Sequence, residues 1–131
     1  MALKPRGAKQ KGDKFERELA TWLNENVYGR EQCARAPLSG GGHVGIAGGA
    51  DLIGTPELFI EAKRVEKLSF PAALEQAERN RTLTNSPEFP IVINRRNRQS
   101  LDESYVFMRL KDFVEFYRLA LARLGYIKTE D

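Results

Sequence analysis

Three ionisable residues near the middle of the chain have the types and spacing of a hydrolytic site. Glu61 follows Asp51 by ten positions, and Lys63 follows Glu61 by two. Because side chains on a strand alternate between its faces, Glu61 and Lys63 are predicted to share one face. A carboxylate beside an ammonium in a half-buried position indicates a functional role. The pattern favours metal-assisted phosphodiester hydrolysis.

The donor types indicate which metal would fit. Two neighbouring carboxylates repel each other, which raises the apparent pKa of the pair unless a cation lies between them. Hard oxygen ligands without histidine or cysteine favour Mg²⁺ or Mn²⁺ over Zn²⁺. The backbone carbonyl of Ala62 is expected to complete the ligand set of Asp51 and Glu61, with Lys63 facing the metal-bound water or the phosphate. A surface hairpin with solvated charges has the same spacing, so the pattern alone does not decide.

Two short strands, residues 50–54 and 58–64, are predicted to position these groups. Pro56 presets a turn dihedral and lacks a backbone donor, so the chain is expected to reverse there as a hairpin. On the second strand Leu58, Ile60 and Ala62 are predicted to share the face opposite Glu61.

The other elements follow from apolar periodicity, caps and breakers. Helices are expected at residues 13–26, 70–82 and 113–124, and further strands at residues 31–36, 90–94 and 105–110. Asp13 is expected to cap the first helix in a capping box with Glu16. Asp112 should cap the last helix, and Gly125 should end it. The crossover rule makes the strand after the second helix parallel to the second hairpin strand, so the class is α/β with a central mixed sheet flanked by helices.

Composition and charge limit the possible functions. A length of 131 residues predicts one domain over residues 12–131. No apolar run has the length of a membrane span, and no secretory signal is evident, so the expected location is the cytoplasm without membrane attachment. With Cys33 and His43 as the only cysteine and histidine, an internal disulfide is excluded and a zinc or Ser-His site is disfavoured.

The basic residues are distributed unevenly. Residues 1–14 carry five cations and one anion, a net charge of +4, while the whole chain carries +3. Residues 1–11 are therefore predicted to be a flexible basic arm, in which Lys9 and Lys11 would contact a polyanion. Arg95, Arg96 and Arg98 lie in a polar loop and are expected to contact phosphate. The glycine-rich residues 37–49 are expected to form a mobile flap.

Several segments combine into a more specific pattern. They are KGDKFE (residues 11–16), RAPLSG (residues 35–40), GAD (residues 49–51), IEAK (residues 60–63), Gln76 and PIV (residues 90–92). In this combination the chain resembles the PD-(D/E)XK nuclease superfamily and, within it, the archaeal-type Holliday junction resolvases. Ala50 stands where the superfamily has proline, a variable position without a chemical role. The last thirty residues lie outside the resemblance.

The resemblance implies a restriction-endonuclease-like core and a Mg²⁺-dependent structure-selective DNA endonuclease, with Mn²⁺ as a substitute. It also implies a homodimer that acts on branched DNA. The implied catalytic residues are Glu16, Ser39, Asp51, Glu61 and Lys63, with Glu16 as a further candidate metal ligand. The implied DNA contacts add Arg35, Ser39, Arg64 and Gln76 to the basic residues of the arm and the arginine loop.

Two other interpretations remain open. A virus-type replication-repair nuclease, which cuts flaps or branched DNA, shares the Asp, Glu-x-Lys and Gln positions but does not account for the RAPLSG segment. A DNA-binding protein could also use this fold without cleaving, although the intact Asp51, Glu61 and Lys63 argue against it.

Overall fold

The computed structural model describes residues 6–37 and 49–129, which place helices on both sides of a small mixed sheet. The elements are α1 (Arg6–Leu23), β1 (Ala34–Arg35), β2 (Leu52–Ile53), β3 (Leu58–Lys63), α2 (Phe70–Leu83), β4 (Phe89–Asn94), β5 (Tyr105–Phe107) and α3 (Leu110–Leu124). A π-helical turn (Asn24–Tyr28) continues α1, and a 3-10 turn (Leu101–Glu103) precedes β5. The predicted α/β class is confirmed.

Strand β4 lies between β3 and β5. Strands β3 and β4 run parallel, in a register that extends from Leu58 opposite Phe89 to Lys63 opposite Asn94. Strand β5 pairs antiparallel with β4. Because parallel neighbours need a crossover connection, α2 must pass over the sheet between them, as the sequence predicted.

The two helices α1 and α2 cover opposite faces of this sheet. Phe15 of α1 packs in one core cluster with Ile60 and Ile91, while Ala77 of α2 packs in another with Val92. Ile91 and Val92 are consecutive and point to opposite faces of β4, which explains why both are buried. The core therefore has a helix, a sheet and a helix in three layers.

The predicted hairpin between β2 and β3 is wrong in its pairing. Strand β2 pairs antiparallel with β1 instead. Between the two strands predicted as a hairpin, the described residues have one backbone–backbone hydrogen bond, from the Asp51 N–H to the Ile60 carbonyl (2.9 Å). The reason is a close approach at Gly54, where a Cβ atom would lie 2.3 Å from the Gln32 carbonyl oxygen. Gly54, which directly follows β2, also has φ +76°, and this conformation lets the end of β2 lie against the segment that precedes β1.

The first helix begins earlier than predicted. Residues 6–11, expected as part of a flexible arm, form the first turns of α1, and the helix continues through the π-helical turn to Gly29. The side chains at positions 8–11 are alanine, lysine and glutamine, all strong helix formers, so the helix extends outward from its packed part despite Gly7 and Gly12. Asp13 lies inside the helix, and the predicted capping box is wrong.

The last strand and helix also have different limits. Strand β5 is shorter than predicted, and α3 begins at Leu110 with Arg109 as its N-cap, so Asp112 lies within the first turn. The Arg109 guanidinium bonds to the Glu78 carboxylate of α2 (2.8 Å), which links the residue before α3 to α2. The predicted end is confirmed, because Gly125 takes a left-handed conformation with φ +89°.

Helix α3 makes little contact with the three-layer body. Its ring contact is between Phe116 and Phe89 (4.9 Å between centroids), and none of its residues is buried. Among the described residues, no helix has the length and apolar content needed to cross a membrane.

Candidate active site

Strand β3 presents Glu61 and Lys63 to helix α2, as the predicted alternation requires. Glu61 is 4% exposed, and its Oε1 accepts a hydrogen bond from Asn80 Nδ2 (3.1 Å). The Lys63 Nζ donates to Gln76 Oε1 (3.1 Å). Gln76 and Asn80 are four residues apart on α2 and therefore lie on one face. This face of α2 fixes the orientation of both charged side chains.

Sequence reasoning included Gln76 but missed Asn80. The signal is present in the sequence, because Asn80 follows Gln76 at helical spacing within the predicted second helix. The sequence does not show that Glu61 is buried. Because it is buried, its carboxylate needs a hydrogen-bond donor, and Asn80 supplies one.

Asp51 lies where the two sheets meet. Its backbone N–H donates to the Ile60 carbonyl (2.9 Å), and its backbone carbonyl accepts from Ala36 N–H (2.8 Å). Its Oδ2 accepts from the Ala62 N–H (2.8 Å). Because the N–H and C=O of one strand residue point to the same side, the Ala62 carbonyl is directed to the edge that carries Asp51.

Burial raises the pKa values of both carboxyl groups, and like charge adds to the increase at Glu61. Burial is the largest cause for Glu61, and the negative charge of Asp51 adds to it, so the pKa of Glu61 rises to about 7 although Asn80 and Lys63 oppose the change. Burial also raises the pKa of Asp51, against the hydrogen bond from the Ala62 N–H and the positive charge of Lys63. The pair therefore favours a shared proton or a bound cation at neutral pH.

Glu16 of α1 approaches the same pair from another side. Its carboxylate bonds to the Arg35 guanidinium (2.8 Å), which also contacts Asp13 (2.7 Å). Burial and then the charge of Asp51 raise the pKa of Glu16 to about 6, with Arg35 opposing. The site therefore has a third carboxyl group near enough to interact electrostatically with Asp51. Arg35, predicted to contact DNA, is half-buried and paired with the two acids of α1.

The described residues contain no group of three or more histidine, cysteine, aspartate or glutamate side chains arranged to hold a metal ion. The residues that could hold a metal ion include only two such side chains. This donor set consists of Asp51, Glu61 and the Ala62 carbonyl, all oxygen donors. Mg²⁺ commonly takes one or two carboxylates and completes its shell with water and substrate phosphate, so this set fits its chemistry.

Two of the predicted DNA-contacting arginines support the loop after β4. Arg64 donates to Asn97 Oδ1 (3.1 Å), and Arg95 Nε donates to the Gln99 carbonyl (2.9 Å). Both guanidinium groups are half-buried. These contacts hold the arginine loop, residues 95–99, against the end of β3.

The other predicted cations differ in exposure. Arg96 lies over the Tyr105 ring, 5.2 Å from its centroid, in a cation–π contact. Arg98 is exposed and has φ +65°, and Lys11 is exposed on α1. These positions leave Arg98 and Lys11 accessible to a polyanion.

Ser39 and the predicted glycine-rich flap, apart from Pro37 and Gly49, lie outside the described residues, as does the side chain of Lys9. Comparison of the chain with protein families, curated proteins and solved structures finds no match.

Proposed function

We propose that this chain is a metal-dependent, structure-selective DNA endonuclease with a restriction-endonuclease-like core. The observation that carries the proposal is the pair formed by half-buried Asp51 and buried Glu61, which stands beside Lys63 and the Ala62 carbonyl at the junction of the two sheets. Burying two carboxyl groups in contact is unfavourable for folding alone, and such groups concentrate at functional sites. The sequence resemblance to PD-(D/E)XK nucleases supports the same residues.

In this proposal Asp51, Glu61 and the Ala62 carbonyl hold Mg²⁺, for which Mn²⁺ can substitute, and Glu16 is available as a further acid. The bound cation supplies Lewis-acid stabilisation of the phosphate and lowers the pKa of an attacking water. Asn80 orients the Glu61 carboxylate, and the Ala62 N–H orients that of Asp51. Both carboxylates are thereby fixed before substrate binds.

Lys63 contributes positive charge where negative charge develops on the phosphate. Gln76 holds its ammonium group at 3.1 Å, which limits the reorganisation needed during the reaction. A donor oriented in advance acts mainly on the transition state, so Lys63 belongs to the catalytic step rather than to substrate affinity.

In this proposal the preferred substrate is branched DNA, with the four-way junction as the first candidate. The proposed location is the cytoplasm. This specificity is supported by the resemblance of the RAPLSG segment and by the exposed cations Lys11 and Arg98. Phosphate contacts of this kind position a duplex without reading its sequence.

The experiment that tests the proposal uses labelled four-way junction, flap and plain duplex with Mg²⁺, with Mn²⁺ and with a chelator. We expect cleavage of the junction that requires the metal. Asp51→Asn should abolish it, while Asp102→Asn, which changes an exposed aspartate of the 3-10 turn, should not. Preferred flap cleavage would favour the virus-type nuclease, and metal-independent binding without cleavage would favour a DNA-binding protein.

A further inference from the structure

Asn94 is a buried amide at the end of strand β4, whose other five residues are apolar. Its side chain is 0% exposed, and its Oδ1 has no hydrogen-bond partner among the described residues. A buried amide with an unsatisfied oxygen costs stability, and a β-branched apolar residue would suit this strand position better. The presence of Asn94 therefore needs an explanation beyond packing.

The amide nitrogen of Asn94 holds the end of strand β3. Its Nδ2 donates to the backbone carbonyls of Lys63 and Val65, each at 3.0 Å. The Lys63 carbonyl also accepts from the Arg95 N–H (3.0 Å), which continues the parallel pairing of the two strands. Val65 lies just beyond β3, so the two bonds of Asn94 span the point at which the chain leaves the sheet. One buried side chain thus ties the last residue of the strand to the segment that follows it.

Asn94 and Lys63 are neighbours on the same face of the sheet. The register of β3 and β4 places them opposite each other. Val92, two residues before Asn94, packs against α2, and Lys63 bonds to Gln76 of α2, so both side chains of the pair face that helix. Asn94 therefore acts on the backbone from which the Lys63 side chain departs.

The arginine loop adds other bonds to the same strand end. The Asn97 N–H donates to Glu66 Oε2 (2.6 Å), and Asn97 Oδ1 accepts from Arg64 (3.1 Å). Both of these bonds are exposed, so water competes for their donors and acceptors. The bonds from Asn94 are shielded from this competition, which makes Asn94 the residue that fixes the strand end most firmly.

We propose that Asn94 is a positioning residue for Lys63, acting through the backbone at the end of β3. Asn94 fixes the start of the flexible lysine side chain, and Gln76 fixes its ammonium group. A charge held in place before the reaction needs no reorganisation when negative charge develops beside it. The catalytic part of this inference rests on the proposed nuclease function, so one test measures cleavage and the other measures Lys63 directly.

The first test is a double-mutant cycle on the single-turnover cleavage rate at saturating protein. Asn94→Ala should lower the rate by about 10²-fold, the size expected for a displacement of about 1 Å, without weakening DNA binding. In a Lys63→Ala background the same substitution should change the rate by less than about twofold, because its effect passes through the lysine.

The matched control lies at the other end of β3. Thr55 is also buried, and its Oγ1 donates to the Leu58 carbonyl (2.9 Å), so Thr55→Val removes a similar bond without reaching Lys63 and should leave the rate unchanged. Circular dichroism establishes that each variant is folded. If Asn94→Ala does not fold, Asn94→Ser replaces it in the cycle, since its hydroxyl can still donate one bond.

Three outcomes of the cycle would overturn the positioning role. An equal loss of rate in both backgrounds would mean that Asn94 supports the whole fold or site rather than Lys63. A wild-type rate in the Asn94 variant would mean that the two bonds do not affect the reaction. A loss confined to DNA affinity would place Asn94 in substrate binding instead.

The second test observes the Lys63 ammonium by proton–nitrogen correlation NMR, without DNA or metal. The wild type should show a signal that the bond to Gln76 protects from exchange, assigned by its absence in Lys63→Ala. Asn94→Ala should shift this signal towards its position in Gln76→Ala, which lacks the acceptor, while Thr55→Val should leave it in place. An unchanged signal in Asn94→Ala would overturn the inference. A shifted signal in a protein that cleaves no DNA would refute only the proposed nuclease function.

Discussion

Replacing Glu61 by glutamine should stabilise the metal-free protein at alkaline pH while it removes cleavage. The substitution keeps an acceptor for Asn80 at 3.1 Å but deletes the charge that burial and Asp51 disfavour. Loss of a proposed catalytic residue is then accompanied by a gain in the free energy of unfolding. The size and sign of this gain follow from the pKa of Glu61.

Glu61 has a pKa of about 7 in the folded chain against an ordinary value of 4.5. Below pH 4.5 both the folded and the unfolded chain hold the proton, so this group does not change stability. Between pH 4.5 and 7 the folded chain retains a proton that the unfolded chain has lost, so stability falls as pH rises. At about 1.36 kcal/mol per pH unit, the full loss above pH 7 is about 3 kcal/mol.

Urea unfolding in a chelator at pH 5, 6, 7 and 8, followed by circular dichroism, measures this effect. The wild type should lose about 3 kcal/mol over the range, with Glu16 adding to the fall below pH 6, because its pKa is also raised. Glu61→Gln should remove most of the slope and be the more stable protein at pH 8. Glu75→Gln, an exposed glutamate of α2, is the matched control. A wild-type stability that is constant or rises between pH 5 and 8 would refute the reasoning.

Other predictions concern the metal, the lysine and DNA contact. Mg²⁺ at a hundred times its dissociation constant should raise the wild-type unfolding free energy by about 2.7 kcal/mol, and calorimetry of unfolding should find this increase absent in Asp51→Asn. Lys63→Ala should lower single-turnover cleavage by about 10²–10³ at saturating protein, with arginine restoring little; a variant that only binds more weakly would contradict a catalytic role. Arg98→Ala should reduce the log–log salt slope of DNA binding by about 0.9 in fluorescence anisotropy, while Lys128→Ala should leave the slope unchanged; equal slopes for both would remove Arg98 as a phosphate contact.

Local sequence patterns predicted the structure correctly where a single periodicity determines which face of an element is buried. The period-two alternation predicted that Ile60 lies on the strand face opposite Glu61 and Lys63. The structure confirms this, with Ile60 in the core beside α1 and with Glu61 and Lys63 beside α2. The parallel direction of β4 relative to β3, with α2 crossing the sheet between them, followed from the crossover rule. That rule depends on chirality and needs no knowledge of side-chain contacts.

The sequence was insufficient where a tertiary contact decided the outcome. Strand β2 is two residues long and carries almost no pattern, so its partner was decided by the close approach of Gly54 to Gln32. Arg35 is similar, because its cationic side chain suits phosphate as well as a carboxylate. Its pairing with Glu16 depends on how α1 lies against β1, which local sequence does not encode.

The hydrogen bond that Asp51 accepts from the Ala62 N–H has a consequence for the motions of the site. Strands β2 and β3 share no ladder, so the Ala62 amide hydrogen is held by a side chain whose charge can change. Any event that withdraws the Asp51 carboxylate exposes that amide to solvent, and its exchange with deuterium then reports the opening. The neighbouring Glu61 amide faces β4 and is protected by the parallel ladder instead. Adjacent amides on one strand thus exchange by different routes, one through the opening of the sheet and the other through the release of a single carboxylate.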